Sequence, residues 1–518
     1  MRYLKRCAGG PERVIVRALL LLLLGIGVAP VASAQSQMIW GLHFSLVPAW
    51  FDPADVAPPA TALVVMSALH DALVKPMPGQ PLAPSLAESW RASKDGLLYE
   101  FTLRNCVLFH NGEHVTAEDV KFSFDRYRGP ASKILKDKVA AVEVIDALHI
   151  RFRLKAPWPD FMAFYGSPTT KAAWIVPKKY IEKVGEEGFK KAPVGAGPYK
   201  FVSFTPGIEL ILDAHDLYWR KRPAVNRLVL RVVPDDATRL VLLRRGEIDI
   251  AYSLRGPLAE AVKRTPGLKL SATLVGVTQW LDFGPQQWDP KSPWHDRRVR
   301  LAAAVAIDRD AINQTETLGF SRPSASIVPS RLEFAWSPPQ YRYDPLRARK
   351  LLAEAGYPNG FDAGDYACDA STTSFSEAVA NYLGAVGIRV TLRPIERGAF
   401  LRQWRAQKLR SLVAGSAAAF GNATIRIEGH MIRGSPVVYG GYPDMDDLFA
   451  QQARELDASK RAALLQQIQR LAYERVMFVP IWEVAGLAGV GPRVDESGLG
   501  LIEYHPFSAP YEDVRLKR

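Results

Sequence analysis

Leu98-Tyr-Glu-Phe-Thr-Leu-Arg104, followed by Phe109-His-Asn-Gly-Glu-His-Val-Thr-Ala-Glu-Asp-Val120, is the stretch on which the reading of the fold turns. Leu98 to Leu103 alternates apolar and polar side chains at a period of two, the pattern of a half-buried strand. Thr116-Ala-Glu-Asp119 has the form of a helix start, with Thr116 as cap, Asp119 reaching back to it, and Val120, Phe122 and Phe124 beyond. His149-Ile-Arg-Phe-Arg-Leu154 then repeats the strand pattern.

The same alternation continues outward from this segment. Helices are predicted over Asp235 to Arg245, Arg297 to Ile307, Pro345 to Ala355, Ser374 to Val386 and Ser459 to Val476. Strands are predicted over Arg227 to Val233, Ile388 to Pro394 and Phe478 to Trp482. Such interleaving argues for an α/β protein. Proline and glycine mark loops at Lys75 to Pro84, Ala192 to Pro198, Gly284 to Pro293 and Gly434 to Asp446. No fixed-period repeat or low-complexity tract stands out.

Residues Met1 to Arg17 carry Arg2, Lys5, Arg6, Arg13 and Arg17 against Glu12 alone, followed by an apolar block from Ala18 to Val28 and by Ala32-Ser33-Ala34. A basic segment, a short apolar core and small residues in an A-x-A end form a cleavable secretory signal over 1–34. The block is shorter than the roughly 20 apolar residues that a membrane anchor needs. No cysteine lies near the junction, so a lipid anchor is not expected, and no twin-arginine pair is present.

Cleavage after Ala34 leaves 484 of the 518 residues, too many for one hydrophobic core, and predicts two or three domains. Hydrophobic residues make up 48% and charged residues 23% of the chain, which excludes large-scale disorder. The net charge is +13; losing five basic residues and one acidic residue leaves +9, scattered without a basic stripe or tail. A nucleic-acid reader is therefore not expected. Of Cys7, Cys106 and Cys368, the first leaves with the signal, and the other two read as unpaired or buried thiols.

Enzymatic and metal readings find little support. There is no G-x-S-x-G elbow or zincin pattern, so no nucleophile with its base is in view. His110 and His114 stand four apart, but Asn111-Gly112 between them is a turn signal rather than helix. Val194-Gly-Ala-Gly-Pro198 is no phosphate cradle, because Pro198 lacks the amide donor. Neither a cofactor nor a bound metal is expected.

The ordered segments resemble one family. Leu86-Ala-Glu-Ser-Trp90, Tyr99-Glu-Phe-Thr-Leu-Arg104 and Phe109 to Val120 are similar to the L-A-x-S-W, Y-x-F-x-L-R and F-x-D-G-x-x-x-T-A-x-D-V series of the large solute-binding proteins serving dipeptide, oligopeptide and nickel ABC importers, family 5. Gly195-Ala-Gly-Pro-Tyr199, Tyr218-Trp219 with Pro223, Gly246-Glu-Ile-Asp-Ile250, Arg298-Val-Arg-Leu-Ala302 with Ala306-Ile-Asp-Arg309, and Leu351 to Pro358 extend the resemblance across nearly the whole chain after the signal. Most of these are read as structural: Trp90, Trp219 and Tyr199 as packing residues, Gly112 and Gly197 as turn formers.

The resemblance implies an α/β two-lobed periplasmic-binding-protein clamp of the large class, with mixed sheets flanked by helices and an extra small domain. One lobe would combine 35–69, 193–281 and 478–518; the small domain would be 70–192 and the second lobe 282–477. Strands near Gln279-Trp280-Leu281 and Ile481-Trp482 would form the hinge. It implies a monomeric periplasmic receptor that captures a peptide or peptide-like solute, delivers it to an inner-membrane permease with its ATPase, and performs no catalysis. The alternative is a receptor for a non-peptide solute (an opine, a sugar or amino-acid conjugate, a metal complex), used in transport or sensing.

Two positions depart from the family's peptide binders, which commonly carry G-W-x-x-D where this chain reads Gly415-Ser-Ala-Ala-Ala-Phe420. Ser416 replaces the pocket Trp and Ala419 the Asp that pairs with a peptide's amino group. A buried ammonium without a carboxylate would go uncompensated. Upstream, Ile395-Glu-Arg-Gly-Ala-Phe-Leu401 places Arg397 where an aromatic pocket residue is common. Arg397 either meets an anionic group of the ligand through its planar fork or stands exposed on a helix start. Trp280 either stacks on ligand or is buried at the hinge, while Phe420, Asn422 and Phe44 are candidates by position alone.

Overall fold

A computed structural model describes residues 36–55, 60–168, 170–419 and 421–517; the expected signal over 1–34 and the candidate Phe420 lie outside them. No helix among the described residues is long and apolar enough to cross a membrane.

Eleven of the described strands form one sheet. From edge to edge it runs Tyr199–Thr205, Glu209–Ala214, Arg227–Val232, Gln37–Leu42, Ile250–Ala251, Phe478–Val490, Lys269–Asp282, Leu412–Ala418, Phe361–Asp369 and Ile388–Ile395, with Arg322–Pro323 paired to Phe478–Val490 off this path. The two long central strands, Lys269–Asp282 and Phe478–Val490, are antiparallel and carry the sheet from one lobe into the other. Their register shifts between Leu274 and Thr278, where Gly276 has a φ of 67°. The pair of long strands is thus bulged at a glycine.

The expected strand Phe478 to Trp482 continues to Val490 because its glycines serve packing. A Cβ on Gly489 would stand 2.5 Å from Leu243 Cδ2, and one on Gly486 2.8 Å from Val275 Cγ1. Glycine weakens a strand signal in sequence, yet here it admits close neighbours. The other predicted elements appear within two residues of their expected ends. They include helices Asp236–Arg244, Arg297–Ala306, Pro345–Glu354, Thr373–Ala385 and Ala458–Glu474.

A separate four-stranded antiparallel sheet joins Ala87–Ala92, Leu98–Leu103, His149–Leu154 and Val139–Val144 in that order. Alternate residues Tyr99, Phe101 and Leu103 are buried, as the period of two requires. The helix Ala117–Arg126 covers this sheet. Asp119 accepts from the Thr116 amide at 2.9 Å and from the Thr116 hydroxyl at 2.7 Å, fastening the helix start. Its other oxygen accepts from the Lys178 amide at 2.9 Å, so one cap residue holds two elements.

The motif aromatics pack as expected. Tyr199 is buried with its hydroxyl on the Val225 carbonyl at 2.9 Å, Trp219 donates to Asp71 at 2.7 Å, and Trp90 is half-buried against the core. Cys368 is a free thiol buried in the second lobe, so it does not pair with Cys106.

Candidate ligand cleft

Parallel strands direct all their carboxyl ends to one edge, and the loops leaving that edge are where open α/β sheets bind ligands. In the first lobe Gln37–Leu42 lies parallel to both Arg227–Val232 and Ile250–Ala251. The chain leaves these strands through His43-Phe44 and through Tyr252 to Arg255. In the second lobe Phe361–Asp369 lies parallel to Ile388–Ile395 and Leu412–Ala418. These end at Asp369, at Glu396-Arg397 and at Ala418-Ala419. The two edges face each other: exposed Arg255 of the first lobe donates to the Ser371 carbonyl of the second at 3.4 Å.

Buried Arg239 underpins the first edge. It donates to the carbonyls of Val233, Tyr252 and Ser253 at 2.7, 2.8 and 2.9 Å, tying together the loops that follow two parallel strands. His43 is reachable by solvent, yet the protein around it pushes its pKa down to about 4, with Arg239 and Arg255 adding to the effect. The first edge is therefore cationic, with a neutral imidazole beside its arginines.

Across the gap, Arg397 opens the helix Arg397–Arg405, its side chain 67% exposed, and donates to Asp369 at 2.8 Å. Asp369 also accepts from the Ser371 amide and hydroxyl, both at 2.9 Å. The rim carboxylate is thus already engaged, while most of the Arg397 fork faces solvent.

The remaining candidates divide. Ser416 is half-buried, opposite Gln279 on the neighbouring strand. Ala419 turns inward: it is 2% exposed, its amide donating to the Gly276 carbonyl at 3.0 Å. Phe44 is half-buried at the first edge, packed edge-on against Trp50 and Phe507. Asn422 is buried and caps Ala423–Met431; its amide side chain donates to Asp160, on the domain of the four-stranded sheet, at 3.0 Å.

Trp280 is not at an open surface. It lies in the core of the second lobe among Trp404, His430 and Phe478, with the Arg426 guanidinium 5.2 Å from its ring centre. A fully buried indole on a central strand gains more from packing than from an exchangeable ligand. It also explains Gly415: a Cβ there would stand 2.2 Å from the indole. Gly415→Ala is expected to destabilise the protein by about 1–3 kcal/mol through overpacking, measured as a lowered urea midpoint. A midpoint equal to wild type would show that the indole can move aside.

Sequence reasoning missed His43, Arg255 and Asp369. Each stands at or just beyond the carboxyl end of a parallel strand, a signal that becomes readable only once strand order is known.

The family model for bacterial extracellular solute-binding proteins, family 5 (Middle), matches residues 81–426. The glutathione-binding protein GsiB of Escherichia coli O1:K1 is 28% identical over 415 residues, covering 76% of this chain and 79% of its own. Among solved structures, the binding protein MoaA of A. tumefaciens R10, in complex with mannopinic acid, is 26% identical. It matches with a TM-score of 0.75 over 94% of this chain and 100% of its own. The substrate-binding protein CtaP of Listeria monocytogenes, 20% identical with a TM-score of 0.81 over 93% of this chain and 99% of its own, shares the fold. Both the architecture and the match to most of the chain lead to one conclusion: the protein belongs to the bacterial extracellular solute-binding proteins of family 5, the substrate-binding components of ABC importers.

Proposed function

We propose that the protein works in the periplasm, after loss of its leader, as the monomeric receptor of an ABC importer for a peptide-like conjugate bearing at least two carboxylates. It closes on this solute between its lobes and hands it unaltered to an inner-membrane permease and its ATPase. The observation that carries the reading is the pair of exposed arginines, Arg255 and Arg397, one on each facing edge and both converging on the 369–371 turn. Arginine forks match carboxylates bidentately. No acidic residue stands between Gly415 and Ala419 to take a free ammonium. Glutathione, bound by the GsiB relatives, and mannopinic acid, bound by MoaA, each carry two carboxylates, and of the two only mannopinic acid lacks a free primary ammonium.

Calorimetry with glutathione, mannopinic acid and the neutral dipeptide Met-Leu tests the reading. Binding of one of the two acidic conjugates is expected; binding of the neutral dipeptide alone overturns it. Arg255→Ala and Arg397→Ala should each weaken the acidic ligand roughly ten- to hundred-fold, the loss of one charge-assisted contact. Both side chains are exposed, so melting temperatures should hardly move. Unchanged affinity in both variants would remove the arginines from the site.

A further inference from the structure

Asp160 follows the four-stranded sheet and is 301 residues from Arg461 in the chain, yet the two form an ion pair. Their side chains are 4% and 5% exposed. The contact joins the small domain to the second lobe. Asn422, itself buried, donates to the same Asp160 oxygen at 3.0 Å. On its own lobe Arg461 hydrogen-bonds to neutral groups, Nε donating to Gln452 at 3.0 Å and Nη2 to the Thr424 hydroxyl at 3.1 Å, with the guanidinium 5.3 Å from the Phe334 ring centre and the Glu333 carboxyl close enough to feel its charge. The second lobe thus holds a preorganised cation, and the carboxylate that closes on it belongs to another domain.

The neighbouring groups sharpen the arrangement. Glu333 and Glu428 also face this junction, and burial pushes both carboxyls above their usual range. Arg461 counteracts the shift of Glu333, Lys138 that of Glu428, and Asp160 adds to both. Two further points of close approach accompany the pair. A Cβ on Gly421 would stand 3.3 Å from the Ala163 carbonyl, and one on Gly96 3.2 Å from Leu456 Cδ2. At Gly421 the backbone of one domain therefore meets that of the other, while at Gly96 it meets a side chain.

We infer that Asp160 is a positioning residue for capture: by docking on Arg461 and Asn422 it makes the small domain a jaw of the clamp, holding the closed arrangement without help from ligand. Removing one member of a buried ion pair leaves its partner unpaired and is strongly unfavourable. Opening the clamp lets both ends hydrate, so the loss of Asp160 should shift the clamp open rather than unfold a domain. Both groups that meet Asp160 Oδ1, Arg461 and Asn422, lie across the junction.

The test uses the full mature protein, unfolded in denaturant to strip any solute and refolded, in small-angle scattering and hydrogen exchange with no ligand added. Wild type is expected to scatter as a compact particle. Asp160→Ala should show a larger radius of gyration and at least about hundred-fold faster exchange at the Asn422 and Thr424 amides, with an unchanged melting temperature. Asp160→Asn, which keeps the size, should show the same shift in weaker form. Equal radii for wild type and Asp160→Ala, whether compact or extended, would overturn the inference. So would a fall in melting temperature that fully accounts for the exchange. No ligand enters the measurement, so its outcome is independent of the chemistry assigned to the cleft.

Discussion

Gly195→Ala should destabilise the protein by at least about 3 kcal/mol, the upper end of overpacking costs, and largely prevent its accumulation. A Cβ at this position would stand 2.0 Å from the Leu69 carbonyl oxygen and 2.6 Å from His70 Nδ1. The first of these is backbone and cannot rotate away. Nor can the turn shift, because it is bonded on several sides. The Gly197 amide donates to Leu69 O at 3.0 Å, the His110 amide donates to Gly195 O at 2.8 Å, and the Gly195 amide donates to His110 Nδ1 at 3.2 Å. Urea denaturation of the variant checks the size of the effect; a loss below about 1 kcal/mol would mean that the 195–197 turn yields.

The same knot produces the second large effect, a dependence on acid. His70 is fully buried, bonded to the Phe51 carbonyl at 2.9 Å, and burial pushes its pKa down to about 4. His110 accepts at Nδ1 from Gly195 and donates from Nε2 to Gly197 O at 3.0 Å, an assignment that requires a neutral ring. Burial drives its pKa well below the ordinary value, with His215 and His70 adding. His505, elsewhere in the first lobe, is likewise lowered to about 4 by burial and by Lys75.

In the unfolded chain each imidazole titrates near 6.5. Between pH 6.5 and 4 the unfolded state therefore binds the extra proton and the folded state does not. Stability contributed by His70 is complete above pH 6.5 and falls by about 1.4 kcal/mol per unit toward pH 4, roughly 3 kcal/mol in all. Asp282, raised to about 6 by burial, acts in the opposite direction over an overlapping range. For that reason the clean measurement is a difference. His70→Gln keeps a donor for Phe51 O but cannot titrate, so it should lose less stability than wild type between pH 7 and pH 4. The gap between the two proteins should close by roughly 3 kcal/mol. Parallel losses in both would place the acid sensitivity elsewhere.

Much of this was legible from local pattern. Strand Leu98–Leu103, the Thr116–Asp119 cap and the helix starts at Asp235 and Arg297 are short-range facts, written in side-chain period and capping chemistry. The ordered motifs carried the family, because fold and family residues here are mostly packing residues. The reading of Trp90, Trp219 and Tyr199 as core rests on the same logic. Chain length likewise called for more than one core, and the buried hydrophobic residues fall into several clusters.

Pairings between distant segments were not legible. Trp280 as a candidate contact and as a buried packing residue gives one and the same sequence signal; only the approach of Gly415 on the neighbouring strand decides for packing. Arg397 is exposed at a helix start, as one of its two readings had it, but its position opposite Arg255 depends on strand order. Asn422 was chosen for its place beside an altered motif, and its partner Asp160 lies 262 residues away. The sequence by itself determined the elements, the family and the chemistry missing from residues 415–419, since each is encoded within a few neighbouring residues. Only the tertiary structure decided which charges face one another across the cleft and across the Asp160 junction, because burial and partnership are properties of surfaces brought together by the whole sheet.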